Sequence, residues 1–170
     1  MHMLALLRRS GGLEALARNL AVPTPVAAEL AGLLLPLIQG AYCRLYEAAP
    51  GGRQDVAALL ALLEEHGGGN LAVIVLEPDP VEPKQGWALA EKVFGSRARA
   101  MTVAEHAAAG DVSREQQITA ALPVLTMLVG GYLAARAESV DSAPDELSQH
   151  FAELLACNRD PNPLDAVLPE

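Results

Sequence analysis

From Ile118 to Ala135 the chain runs for eighteen residues without a charge, and a proline, Pro123, stands inside the run. An earlier segment, Leu33-Leu34-Leu35-Pro36-Leu37-Ile38-Gln39-Gly40, has the same character. An interior proline removes one backbone donor and its ring collides with the carbonyl four residues back, so each segment is expected to form a long helix kinked at its proline. Two such rods have to be buried somewhere. The later run just reaches the length of a membrane span, but it carries Thr126, Gly130 and Gly131 and lies between Arg114-Glu115 and Arg136, with Glu138 and Asp141 beyond. No positive asymmetry orients it. The expectation is therefore a globule in water with the two rods packed together at its centre, and no membrane span.

Composition agrees with helix. Over half of the residues are hydrophobic but only 4% are aromatic, so the apolar content is mostly Leu, Ala and Val. A chain of 170 residues is long enough to bury about 70% of the surface that its unfolded form exposes, without staples. The net charge of −9 repels phosphate backbones and anionic lipid, which argues against nucleic acid as a partner. Cys43 and Cys157 belong to no close-spaced pair. They read as buried thiols in a reducing compartment, and a disulfide is not expected. The N-terminus places Arg8 and Arg9 after a short apolar run rather than before a long one, the wrong order for a secretory signal. The reading is cytoplasmic.

Along the chain, Leu13, Leu16, Ala17 and Leu20 mark one face of a short helix after Gly11-Gly12, and Val56, Leu59, Leu60 and Leu63 mark another that stops at Gly67 to Gly69. Leu71-Ala72-Val73-Ile74-Val75-Leu76 is a continuous apolar run that periodicity does not assign to strand or buried helix; its β-branched residues favour a short extended segment. Residues 77–83 hold three prolines and three acids and form an extended strap. Beyond it, Trp87, Ala90 and Phe94 share a helix face that Gly95 terminates. Ser113 with Gln116 fits a capping box opening the second long helix, and Ser142 with Asp145 opens a last one bearing Leu147, Phe151, Leu154 and Leu155. Residues 158–170 have no period and read as a loose tail.

A shift of 87 residues lays Leu35-Pro36-Leu37-Ile38 over Leu122-Pro123-Val124-Leu125 and Leu13 to Leu20 over Ala100 to Ala107. The chain is thus read as one all-α domain over residues 1–157, built from two related units at about 3–66 and 84–157. Gly40, Ala41, Gly130, Gly131, Ala134 and Ala135 would let the two long helices approach closely.

Gly11-Gly12, residues 33–40, Val93-Phe94-Gly95 and Leu122-Pro123-Val124-Leu125-Thr126-Met127-Leu128-Val129-Gly130 together resemble the YidB-like bacterial family, a domain of unknown function. The resemblance covers roughly residues 3–137. It implies a multihelical fold and carries over no catalytic residue. The chain departs from that pattern at 71–83 and in its extra helix at 143–157.

Chemistry is sparse. No phosphate-binding loop, nucleophile elbow or paired-histidine helix is present. Glu146, His150 and Glu153, at i, i+4 and i+7, are the best metal candidate, but no second helix offers the partner residues a bundle site needs, and a solvated face is the preferred reading. Tyr42, Tyr46 and Tyr132 lie near the ends of the long helices and either line a shared groove or cap the core; the core reading is favoured. Neither catalytic residues nor cofactors are assigned. Pro36, Pro123, Gly95 and Trp87 are read as structural. The first functional expectation is a non-enzymatic interaction or scaffold protein that self-associates or binds a protein partner; the alternative is a carrier of an apolar small molecule between the kinked helices, and an enzyme ranks third.

Overall fold

The computed structural model describes residues 3–47, 56–139, 149, 151–155, 157 and 162–168. Within them eight α-helices, a further helical stretch over 151–154 and one 3-10 turn build a single all-α domain without strands; Ser142, Asp145 and Leu147 of the expected last helix lie outside the described residues. The eight are α1 (Met3–Ser10), α2 (Gly12–Leu20), α3 (Thr24–Glu47), α4 (Val56–Glu65), α5 (Asn70–Leu76), α6 (Pro83–Phe94), α7 (Arg97–Ala108) and α8 (Val112–Ser139), and the 3-10 turn is Pro163–Ala166.

The uncharged run is the axis. α8 packs against α2, α3, α4, α5, α6 and α7, and Ile118, Leu122, Leu125, Leu128 and Leu133 on it are fully buried. A helix that is apolar all round is stable in water only when other elements surround it. Both long helices run on through their prolines, Pro36 in α3 and Pro123 in α8, and they pack on one another. The carbonyl that Pro36 deprives of a partner belongs to Gly32, which is exposed to water. Asp111 opens α8: its carboxylate accepts from the amides of Ser113 (3.1 Å) and Arg114 (3.2 Å). The cap is therefore Asp111 rather than Ser113, an acid placed at the positive end of the helix dipole.

Residues 71–76 are helix, not an extended segment. α5 buries Leu71, Ala72 and Val75, spaced i, i+1 and i+4. A lone strand here would leave backbone groups without partners, whereas a helix satisfies them internally. What admits it is α8: a Cβ on Gly131 would sit 2.6 Å from Ala72 Cβ and 2.9 Å from Ala72 Cα. The small residues serve the crossing of α3 with α8 at Gly130, which the Tyr42 hydroxyl of α3 approaches, and two other contacts besides. Gly131 receives α5, while Gly40 receives the Asn162 side chain.

The C-terminal residues also differ from expectation. Residues 162–168 dock on α3 instead of forming a loose tail. Asn162 accepts from the Leu164 amide and donates through Nδ2 to Gly40 O at 3.0 Å. Arg44 pairs with Asp165 at 2.6 Å, and Leu164 and Leu168 are buried. Cys43 and Cys157, expected as separate thiols, are joined in a disulfide with their Cα atoms 5.5 Å apart. Gln39 adds a bond to Leu154 O at 2.8 Å. Positions 39, 40, 43 and 44 lie on one face of α3, so one stripe of that helix holds Leu154, Cys157, Asn162 and Asp165 of the C-terminal arm.

Candidate functional site

Among the described residues the inside-outside pattern breaks over a neutral stretch at α4–α5, while Leu33 on α3 and Val112 on α8 are single exposed hydrophobics elsewhere. Eight of the ten residues of α4 are apolar, and between Val56 and Leu76 the only charged side chains are Glu64 and Glu65, at the turn. Gly67 and Gly68 adopt positive φ there, and the Gly68 amide returns to Leu63 O at 2.8 Å, closing α4 and bending the chain by 47° into α5. On the inner side Leu59, Leu63 and Leu71 are buried. Leu63 and the Tyr42 hydroxyl both press on Gly130, where a Cβ would meet them at 2.8 and 2.7 Å. On the outer side Ala57 and Ala61 are exposed and Leu60 and Ile74 half-buried, while Val73 is 51% exposed. The result is a neutral, apolar patch on an acidic chain.

The tyrosines do not form a groove. Tyr42 and Tyr46 are fully buried, and Tyr42 donates to Thr126 O at 2.8 Å. Thr126, itself buried, donates back to Leu122 O at 2.7 Å. Tyr132 is half-buried on the other side, hydrogen-bonded to Ser10. Burial pushes the Tyr42 hydroxyl far above the ordinary tyrosine range and raises Tyr132 as well, against a smaller lowering by Ser10. A raised tyrosine contributes stability that is fully present below the unfolded pKa of about 10 and lost as pH climbs past it. Denaturant midpoints should therefore fall steeply above pH 10. Tyr42→Phe should flatten that fall by up to about 1.4 kcal/mol per pH unit; parallel slopes for the two proteins would contradict the assignment.

Of the candidate metal ligands, Glu146 and His150 lie outside the described residues and Glu153 is exposed. Among the described residues no group of three His, Cys, Asp or Glu side chains is placed to hold a metal ion.

Two concavities flank α6. A shallow basin of about 350 Å³ is lined by Arg44, Lys92 and Arg99 around Phe94 and Gly95. Gly95, at φ +100, ends α6, and Arg99 Nε donates to Phe94 O at 2.8 Å. The second is a narrower cleft of about 170 Å³ beneath the strap, lined by Leu20, Val81, Trp87, Pro123, Val124 and Met127, with Asn19 and Glu82 at its edge. Pro123 does more than interrupt α8 here. A Cβ on Gly86 would lie 2.7 Å from Pro123 Cβ, so α6 approaches the proline through a position that only glycine can fill. Trp87 is buried, and the Arg97 guanidinium stacks 4.4 Å from its ring centroid. The strap is pinned by α2: Arg18 donates to Leu76 O (3.1 Å) and Glu77 O (3.3 Å), and the Val81 amide donates to Asn19 Oδ1 at 2.9 Å. Sequence reasoning placed the strap, but gave no sign that Val81 turns inward beneath it.

By length and composition α3 over Thr24–Tyr46 and α8 over Val112–Ala137 are apolar enough to cross a membrane, and α4 with α5 would pass as a bent third span. No family model, curated protein or solved structure matches the chain.

Proposed function

We propose that the chain is a non-enzymatic helical interaction module that self-associates through the outer face of α4–α5. The observation that carries this reading is the neutral surface with exposed Ala57 and Ala61 and half-exposed Val73 on a chain of net charge −9. Two copies repel one another over most of their surface, and approach is least unfavourable where charge is missing. Ala57 and Ala61, one turn apart, permit close packing of α4 against the α4 of a second copy about a two-fold axis, the commonest symmetry of soluble oligomers. The resemblance of its landmarks to the YidB-like family would imply a helical body of this kind and adds no activity.

Light scattering coupled to size exclusion is the test. The expected result is a dimer at about 100 µM protein whose dissociation constant rises at least roughly ten-fold in Ala61→Glu and in Val73→Glu, as burying an unpaired carboxylate demands. A monomer at that concentration, or variants that dimerise as well as the parent, would refute the proposal.

The same apolar content supports a lipid-facing reading of α3 and α8, but the fold buries 61% and 78% of their most apolar windows against its own helices. That burial supports a chain folded in water, and recovery from its host only in detergent would overturn it. The compartment follows from sulfur chemistry. Cytoplasmic reducing conditions keep cysteines as thiols, whereas a Cys43–Cys157 bond persists in oxidising surroundings. Trapping the thiols with an alkylating mass label in the native host decides between them.

A further inference from the structure

The cleft beneath the strap combines three properties that together define an occupant. Its walls are apolar, with Trp87 on α6, Pro123, Val124 and Met127 on α8, and Leu20 on α2. Its polar neighbour Asn19 is already engaged on both sides of its amide, donating to Ala15 O at 2.9 Å and accepting from the Val81 amide. Its volume is about 170 Å³, close to the roughly 150 Å³ of an apolar cavity that takes up benzene. A ligand with several hydrogen-bonding groups would lose water there and find in exchange only the second Nδ2–H of Asn19 and the Glu82 carboxylate. An acyl chain or a fused-ring cofactor exceeds the space, since sites for drug-sized ligands run to roughly 300–1,000 Å³. Glu82 at the edge disfavours an anionic head group.

We propose that this cleft is a binding site for one compact, uncharged hydrocarbon group of single-ring size carried by a small molecule. This inference is independent of self-association, because α4 and α5 contribute nothing to the lining. The strap closes over the ligand: Val81 is its apolar contact, and the bonds from Arg18 and Asn19 set its position.

Trp87 is the chain's single tryptophan, so its emission reports on the cleft directly. Toluene added to the full-length protein is expected to give a saturable change in Trp87 emission, with half-saturation at or below about 1 mM. Octan-1-ol, too long for the cleft, is expected to give no saturable change at the same concentration. Ala120 lines the cleft from an exposed position on α8, so Ala120→Phe is expected to fill it while leaving helicity unchanged, and to weaken the toluene response at least ten-fold. Val81→Phe, on the strap and away from the helical core, should act alike and serves if Ala120→Phe misfolds. No saturable response to toluene, an equal response in a folded filled variant, or tighter binding of octanol than of toluene would each overturn the proposal.

Discussion

Reduction of the Cys43–Cys157 bond is expected to lower folding stability by about 3–5 kcal/mol. The two cysteines are separated by 114 positions. A crosslink closing a loop of that size restricts the unfolded ensemble by about 4.7 kcal/mol in the chain-entropy account, and measured values fall at or below it. For a domain of this length that corresponds to a fall in Tm on the order of 10 °C. Thermal unfolding with and without reductant, and of the Cys43→Ser, Cys157→Ser double variant, measures it. The variant should unfold at one temperature in both buffers, matching the reduced parent. Cys43 is 3% exposed and Cys157 half-buried, so reductant enters from the Cys157 side. The arm should stay docked at low temperature after reduction, because Phe151, Leu155, Leu164 and Leu168 remain buried and Arg44 still holds Asp165. Equal Tm values in both buffers, or two reactive thiols in the unreduced protein, would remove the bond from the account.

The sequence does not anticipate that bond, because a separation along the chain says nothing about proximity once the intervening residues fold. The reach of sequence reasoning follows the same division elsewhere. The absence of charge from Ile118 to Ala135 predicts a buried axial helix, because a helix without a polar face has no other stable place in water. Trp87, Ala90 and Phe94 with Gly95 beyond them predict α6 and its end from local spacing and a left-handed cap. By contrast, the choice between strand and helix for residues 71–76 is made by Gly131, about sixty residues away, whose missing side chain leaves room for the backbone of α5. The docked arm does carry a local signal. Asn162-Pro163, a capping residue followed by proline at the first helical position, with Leu164 and Leu168 one turn apart, is the start of a short amphipathic turn. The exposed side of α4–α5 was legible only as an excess of apolar residues; which of them face outward depends on where α8 lies.

That dependence on α8 makes a test by one methyl group. Gly131→Ala is expected to destabilise the fold by up to about 2 kcal/mol net, although alanine is favoured over glycine in a helix interior by about 1 kcal/mol. The propensity gain is outweighed because the added Cβ would lie 2.6 Å from Ala72 Cβ and 2.9 Å from Ala72 Cα. Real carbon atoms do not approach so closely, and the Cα cannot swing aside as a flexible side chain would. α5 has to retreat from α8, opening space around Leu71 and Val75, both fully buried, and overpacking of this kind costs about 1–3 kcal/mol beyond any propensity term. Gly32→Ala provides the opposite sign from the same substitution. Gly32 is also inside a long apolar helix, yet a Cβ there meets nothing within 4 Å. Only propensity operates, and stability should rise by about 0.5–1 kcal/mol. Urea midpoints of the two variants, at unchanged m-value, should therefore move in opposite directions from the parent. If Gly131→Ala were as stable as the parent, α5 would not be seated on α8 at this glycine, and the apolar patch built on that seat would lose its foundation.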